Sequence, residues 1–141
     1  MILLDTNVIS ELMRAEANLQ VQNWIEKQAI ETLFLSSITL AEIYFGLEIL
    51  PYGKRKQALF DAFNKEILPL FEQRILPFDE KMAMMNAQIR ATTRQNGYTI
   101  SLADSYIATI AKFHKLNIAT RDVASFEYAG LNVINPWNEI G

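Results

Sequence analysis

Apolar positions along this chain follow two rhythms. Short unbroken runs alternate with longer stretches in which apolar residues recur every three or four positions. The first run, Met1-Ile2-Leu3-Leu4, ends abruptly in Asp5, Thr6 and Asn7. A short apolar run bounded by polar residues reads as a strand covered on both faces, the habit of parallel sheets. Leu33–Ser36, Arg74–Pro77, Asn117–Thr120 and Leu131–Ile134 read the same way.

The helical rhythm fills the intervals. A short helix is predicted over Val8–Met13, capped by Asn7 or Thr6, and a second from about Asn18 to Ile30, with Asn18 as cap. Thr39-Leu40-Ala41-Glu42 matches a capping box and opens a helix to about Leu50, stopped by Pro51-Tyr52-Gly53. Leu59, Phe60, Phe63, Ile67 and Leu70 mark one side of a long amphipathic helix from about Lys54 to Phe71, with Pro69 weakening its last turn. Asp79 caps a helix that ends at Asn96-Gly97. Ser101-Leu102-Ala103-Asp104 is a second capping box, opening a helix to His114, and Val123–Tyr128 is a last short helix. Strands alternating with helices predict α/β architecture, with crossover connections and a mostly parallel sheet between helical layers. No repeat or linker divides residues 1–141, so a single domain is expected.

Composition narrows the chemistry. Half the residues are hydrophobic and 21% are charged, as in globular domains. No apolar run reaches the ~18 residues of a membrane span, and the opening strand leaves no room for a secretory leader. There is no cysteine, which excludes disulfides, thiolate nucleophiles and zinc–sulfur sites and suits a cytoplasmic location. The net charge of -3 lacks the basic signature of a simple nucleic-acid-binding module. It leaves open an enzyme whose acids gather in one cleft.

In open α/β sheets ligands sit beyond the carboxyl ends of the strands. Asp5 follows the first predicted strand and Asp122 the fourth, while Glu42 and Asp104 lie near the starts of helices at the same edge. Such carboxylates are hard oxygen donors suited to Mg²⁺ or Mn²⁺. Each of Glu42, Asp104 and Asp122 also has a plain reading as a helix-capping group; Asp5 does not, because an acid behind a buried strand is costly to leave unpaired. His114, the lone histidine, sits late in a helix and reads as a surface residue. Asp5-Thr6-Asn7 lacks the second acid of phosphatases that form an aspartyl phosphate.

Taken together, Leu3-Leu4-Asp5-Thr6-Asn7, Ser37-Ile38-Thr39-Leu40-Ala41-Glu42, Ser101 to Ala108, Thr120 to Phe126 and Asn135-Pro136-Trp137 make the chain similar to PIN-domain ribonucleases. It resembles most the toxin half of VapBC-type toxin–antitoxin pairs, including the FitB branch. The resemblance implies a PIN-like three-layer α/β/α sandwich and a metal-dependent endoribonuclease. It carries over Asp5, Glu42, Asp104 and Asp122 as a catalytic, metal-binding quartet, with Asp5 and Asp104 the most direct ligands. Asn7 and Thr120 match supporting positions. It also implies an RNA substrate, an antitoxin bound in a hydrophobic groove beside the site, contact with operator DNA only through that antitoxin, and a homodimer. The rival readings are a housekeeping PIN nuclease of RNA processing and a non-catalytic partner of antitoxin and operator. Lys54, Arg55, Lys56 and Arg121, and with them Arg90 and Arg94, are candidate contacts to the RNA backbone. The bland reading of the Lys54–Lys56 run is a solvated helix face.

Overall fold

A computed structural model describes residues 1–139. Its five strands are β1 (Ile2–Leu4), β2 (Leu33–Ser36), β3 (Ile75–Leu76), β4 (Asn117–Ala119) and β5 (Val133–Ile134). All pair in parallel, in the order β3-β2-β1-β4-β5. The helices are α1 (Thr6–Leu12), α2 (Leu19–Glu26), α3 (Ser37–Glu48), α4 (Lys54–Asp61), α5 (Ala83–Gln95), α6 (Leu102–Phe113) and α7 (Val123–Tyr128).

The two-residue alternation of a strand sorts the core into two layers. Leu4 turns toward Val8, Ile9, Val21, Trp24, Ile43 and Phe63, the apolar sides of α1 to α3 and of the segment after α4. Leu3 and Ile118 turn the other way, toward Ile89, Ile107, Ile110 and Phe126 of α5, α6 and α7. Helices therefore cover both faces of the sheet, the α/β/α sandwich expected from the strand–helix alternation. Every predicted strand is present, and α7 keeps its predicted bounds.

Local details differ from the expectation: α2 stops at Glu26 rather than Ile30, and Asp79 caps a 3₁₀ turn, Glu80–Met82, that leads into α5. The cap of α1 is Asp5, whose carboxylate accepts from the Thr6 N–H; neither Thr6 nor Asn7 caps it. Helix α3 begins at Ser37, with Ser36 as its cap, so Thr39-Leu40-Ala41-Glu42 lies within the helix rather than opening it. Ser36 sits directly at the end of a strand, where its hydroxyl reaches the Thr39 N–H at 3.0 Å. The long helix predicted over 54–71 is α4 continued by a π-helical stretch, Ala62–Ile67, and a 3₁₀ turn, Leu68–Phe71. The wider π turn is compatible with the burial of both Phe63 and Phe71, and Pro69 starts the tighter end.

Helix α5 ends at Asn96-Gly97, as the sequence predicts. Gly97 takes φ +79°, and the Gly97 and Tyr98 N–H groups donate to the carbonyls of Arg94 and Thr93. This is a Schellman closure, and it needs a residue that tolerates positive φ.

Candidate active site at the carboxyl edge of the sheet

The strand order reverses between β1 and β4, which pair side by side. Such a switch point opens a crevice at the carboxyl ends of its strands. Asp5 leaves β1 there, and Thr120, Arg121 and Asp122 leave β4. Helix α3 brings Glu42 and the start of α6 brings Asp104 to the same cleft, a cavity of about 520 Å³. All four acids singled out in the sequence line it, with Asn7 and Arg121.

Asp5 is the most enclosed, only 4% exposed. Its Oδ1 accepts from the Thr6 N–H at 2.8 Å, and its Oδ2 from the Thr120 hydroxyl at 2.7 Å and from Asn7 Nδ2 at 3.5 Å. Burial pushes its pKa up from 3.8 to about 6; the bonds from Thr120 and Thr6 oppose the rise, and the charges of Asp104 and Glu42 add to it. Asp104 is raised too, first by burial and then by the charge of Asp122. The acids thus act on one another, which dispersed side chains would not do.

Hydroxyls and an amide hold the arrangement. Asn7 Nδ2 donates to the Thr120 hydroxyl at 3.2 Å, and Asn7 Oδ1 accepts from the Arg121 N–H at 3.2 Å. Thr120 Oγ1 also accepts from the Asp122 N–H at 3.0 Å. Asn7 and Thr120 therefore tie the end of β1 to the end of β4. On the other flank the Thr6 hydroxyl donates to Glu42 Oε1 at 2.6 Å and lies 3.1 Å from the Thr39 hydroxyl. Asp104 follows the α6 cap, where its N–H donates to the Ser101 hydroxyl.

The cleft also holds residues that the sequence did not single out. Glu11 is buried, and it accepts from Arg14 at 3.1 Å and from the Asn18 N–H at 3.1 Å. Arg14 and Trp137 line the wall, and Arg121 lies over the Trp137 ring, 5.1 Å from its centroid. Ser125 donates to Asp122 Oδ2 at 3.1 Å and pairs with the Tyr98 hydroxyl at 2.7 Å. Only Trp137 and Ser125 carried a sequence signal, through their places in matching motifs.

The basic run is not part of the cleft. Lys56 Nζ donates to the Glu48 and Leu50 carbonyls at the end of α3 and lies over the Tyr52 ring. Arg55 borders a neighbouring groove of about 830 Å³, walled by Met13, Ile43, Leu47, Leu50 and Leu59 and sharing Ser10, Arg14 and Glu42 with the acidic cleft. Lys54 lines neither.

A PIN-domain family profile matches residues 2–130. The chain belongs to the PIN-domain family. This PIN domain is 48% identical to Toxin FitB of Neisseria gonorrhoeae, across 99% of this chain and 100% of FitB. It is 49% identical to Plasmid stability protein StbB of Pseudomonas syringae pv. tomato, across 97% and 99% of the two chains. To VapC ribonuclease Y4jK of Sinorhizobium fredii it is 48% identical, across 97% and 98%. Its fold superposes on a chain of FitAB bound to a DNA fragment with TM-score 0.95, at 47% identity and covering 100% of this chain and 99% of that one.

The donor set of this PIN domain suits a hard divalent cation: carboxylate oxygens only, two of the carboxylates with pKa values raised first by burial and further by the charge of their neighbours. Among the described residues no three acidic or imidazole groups form a ready-made metal cage. An open cleft fits an ion that keeps several waters and takes one or two carboxylates from the protein, completing its shell with substrate phosphate oxygens, as Mg²⁺ does.

Proposed function

We propose that this PIN domain is a metal-dependent endoribonuclease and the toxin half of a toxin–antitoxin pair. The observation that carries the reading is the convergence of Asp5, Glu42, Asp104 and Asp122 on one cleft at the switch point of the sheet. Support comes from relatives named as a toxin and as a ribonuclease. Further support comes from FitAB and VapBC complexes among the structural neighbours, some bound to DNA.

Bound Mg²⁺ or Mn²⁺ would neutralise the crowded acids and lower the pKa of a water for attack on an RNA phosphodiester. Asp5 and Asp104 are the residues we assign to hold it, with Glu42 and Asp122 completing the acidic ring. The chain's own part is to aim these groups. Thr120 and the Thr6 N–H fix both oxygens of Asp5, Thr6 fixes one oxygen of Glu42, and Ser125 fixes one of Asp122. Asn7 holds the loop that carries Arg121 and Asp122 against β1. Arg121 stands at the mouth, placed to meet a phosphate; Lys56, used to close α3, drops out of that role.

We place a cognate antitoxin in the apolar groove beside the cleft, with operator DNA contacted through the antitoxin alone. We also assign a homodimer, a single domain over residues 1–141 and a cytoplasmic location. No helix among the described residues is long and apolar enough to cross a membrane.

The test is cleavage of RNA in the presence of Mg²⁺ or Mn²⁺. Asp5→Ala should abolish it while the circular dichroism spectrum stays that of the unaltered chain. Full activity in purified Asp5→Ala protein would overturn the assignment. Growth arrest on expression, relieved by the neighbouring antitoxin gene, separates a toxin from a housekeeping nuclease.

A further inference from the structure

A second polar cavity, of about 430 Å³, lies where α5 gives way to α6, lined by Arg90, Arg94, Tyr98, Thr99 and Ile100. Arg90 and Arg94 are four residues apart on α5 and so share one helix face. Both are exposed, and neither forms an ion pair among the described residues, although acids outnumber bases in this chain. Two like charges side by side without a counter-charge are unfavourable on a helix. They are the arrangement that a bound anion would complete. Guanidinium groups suit phosphate because their forked donors match its oxygens.

The position of this cavity matters as much as its charge. Thr99 is two residues from Ser101, the cap that receives the Asp104 N–H, so its rim lies within about 7 Å of backbone from the start of α6. Its Tyr98 hydroxyl pairs with Ser125, which donates to Asp122. Tyr98 also stacks on Tyr128, with ring centroids 4.5 Å apart and planes 12° apart. One wall of the basic cavity is thus hydrogen-bonded, through a single hydroxyl, to an acid of the catalytic cleft. The Schellman closure at Gly97 fixes where that wall begins.

We infer that Arg90 and Arg94 form a seat for a backbone phosphate of the RNA substrate, flanking the acidic cleft on its α5–α6 side. The inference rests on the ribonuclease reading above. Its logic is electrostatic: a ring of carboxylates repels a polyanion, so a strand crossing it must gain its attraction on the flanks. Sequence-independent phosphate contacts supply that attraction.

The full chain binds a labelled single-stranded RNA oligonucleotide in EDTA, where cleavage is suppressed, and Kd is followed across salt concentration. Arg90→Gln with Arg94→Gln should weaken binding and reduce the slope of log Kd against log salt by about 0.7, the increment for the one single-strand phosphate left without its cations. Arg90→Lys with Arg94→Lys keeps both charges and should keep the slope. Lys27→Gln, at an exposed position that lines neither cavity, should change neither quantity. If the unaltered protein binds and cuts RNA but the double glutamine variant keeps its affinity and slope, the seat is refuted and the ribonuclease reading stands. If the unaltered protein neither binds nor cuts RNA, both fall together.

Discussion

Asp5 is asked to be ionised where ionisation is costly. In the unfolded chain its carboxyl titrates near 3.8, and in the folded chain near 6. Between those values the native protein holds a proton that the unfolded chain has released. Stability of the metal-free protein should therefore fall as pH rises from about 4 to about 6 and level off above, since stability declines wherever the native state binds more protons. At ~1.4 kcal/mol per pH unit of separation, the loss is on the order of 3 kcal/mol. Asp5→Asn should remove most of it: urea unfolding at pH 7 without metal should show the variant more stable than the unaltered chain, with the gap closing below pH 4. Added Mg²⁺ should stabilise only the unaltered chain, because a ligand of the native state raises its stability by mass action. A urea midpoint for the unaltered chain that climbs through that pH window would contradict this account. Under the proposed mechanism the same change should abolish RNA cleavage, so activity and stability should move in opposite directions.

Helix α3 shows how an element transmits order to that site. Ser36 accepts the Thr39 N–H, its hydroxyl donates to Thr39 Oγ1, and Thr39 in turn meets Thr6, the partner of Glu42. Ser36→Ala should cost about 1–2 kcal/mol in urea unfolding, the worth of a buried cap. It should also lower RNA cleavage through Glu42; a variant with unchanged stability would show that the cap contributes nothing. The cap also marks what a sequence discloses at this scale. Strands are legible because unbroken apolar runs have few other readings, α6 because its Ser101 cap stands alone, and the end of α5 because Asn96-Gly97 is a clear stop. The cap of α3 lies three residues before the predicted one because Ser36 and Thr39 are both good caps, and a glutamate three residues after Thr39 imitates a capping box. The π turn after α4 leaves the apolar side of its pattern intact and so gives no signal. Asp5, Glu42, Asp104 and Asp122 can be placed at one edge from the alternation of strands and helices, two after strands and two near helix starts. Glu11, Ser125 and Tyr98 cannot, because their importance lies in partners that only folding supplies.

For the molecule as a whole, exposed apolar surface is the outstanding demand. Phe45 and Ile49 are 66% exposed on one side of α3 and Tyr52, just past its end, 96% exposed. Ile43 and Leu47, which give the same apolar signal in sequence, are in the core. Large apolar side chains exposed this far are what a partner surface would cover, which fits the proposed dimer and antitoxin. Sedimentation at micromolar concentration should give twice the chain mass of 16.1 kDa; a monomer would remove the dimer from the proposal.

The placement of Trp137 beside Arg121 has a practical corollary. Met1 joins the sheet at the end of β1 opposite the acids, where its carbonyl receives the Asn117 N–H, whereas Trp137 stands at the entrance to the cleft. An affinity handle or fluorescent fusion attached ahead of Met1 would project from the far side of the protein. The same handle attached behind Trp137 would stand in the doorway that a nucleic acid strand must use.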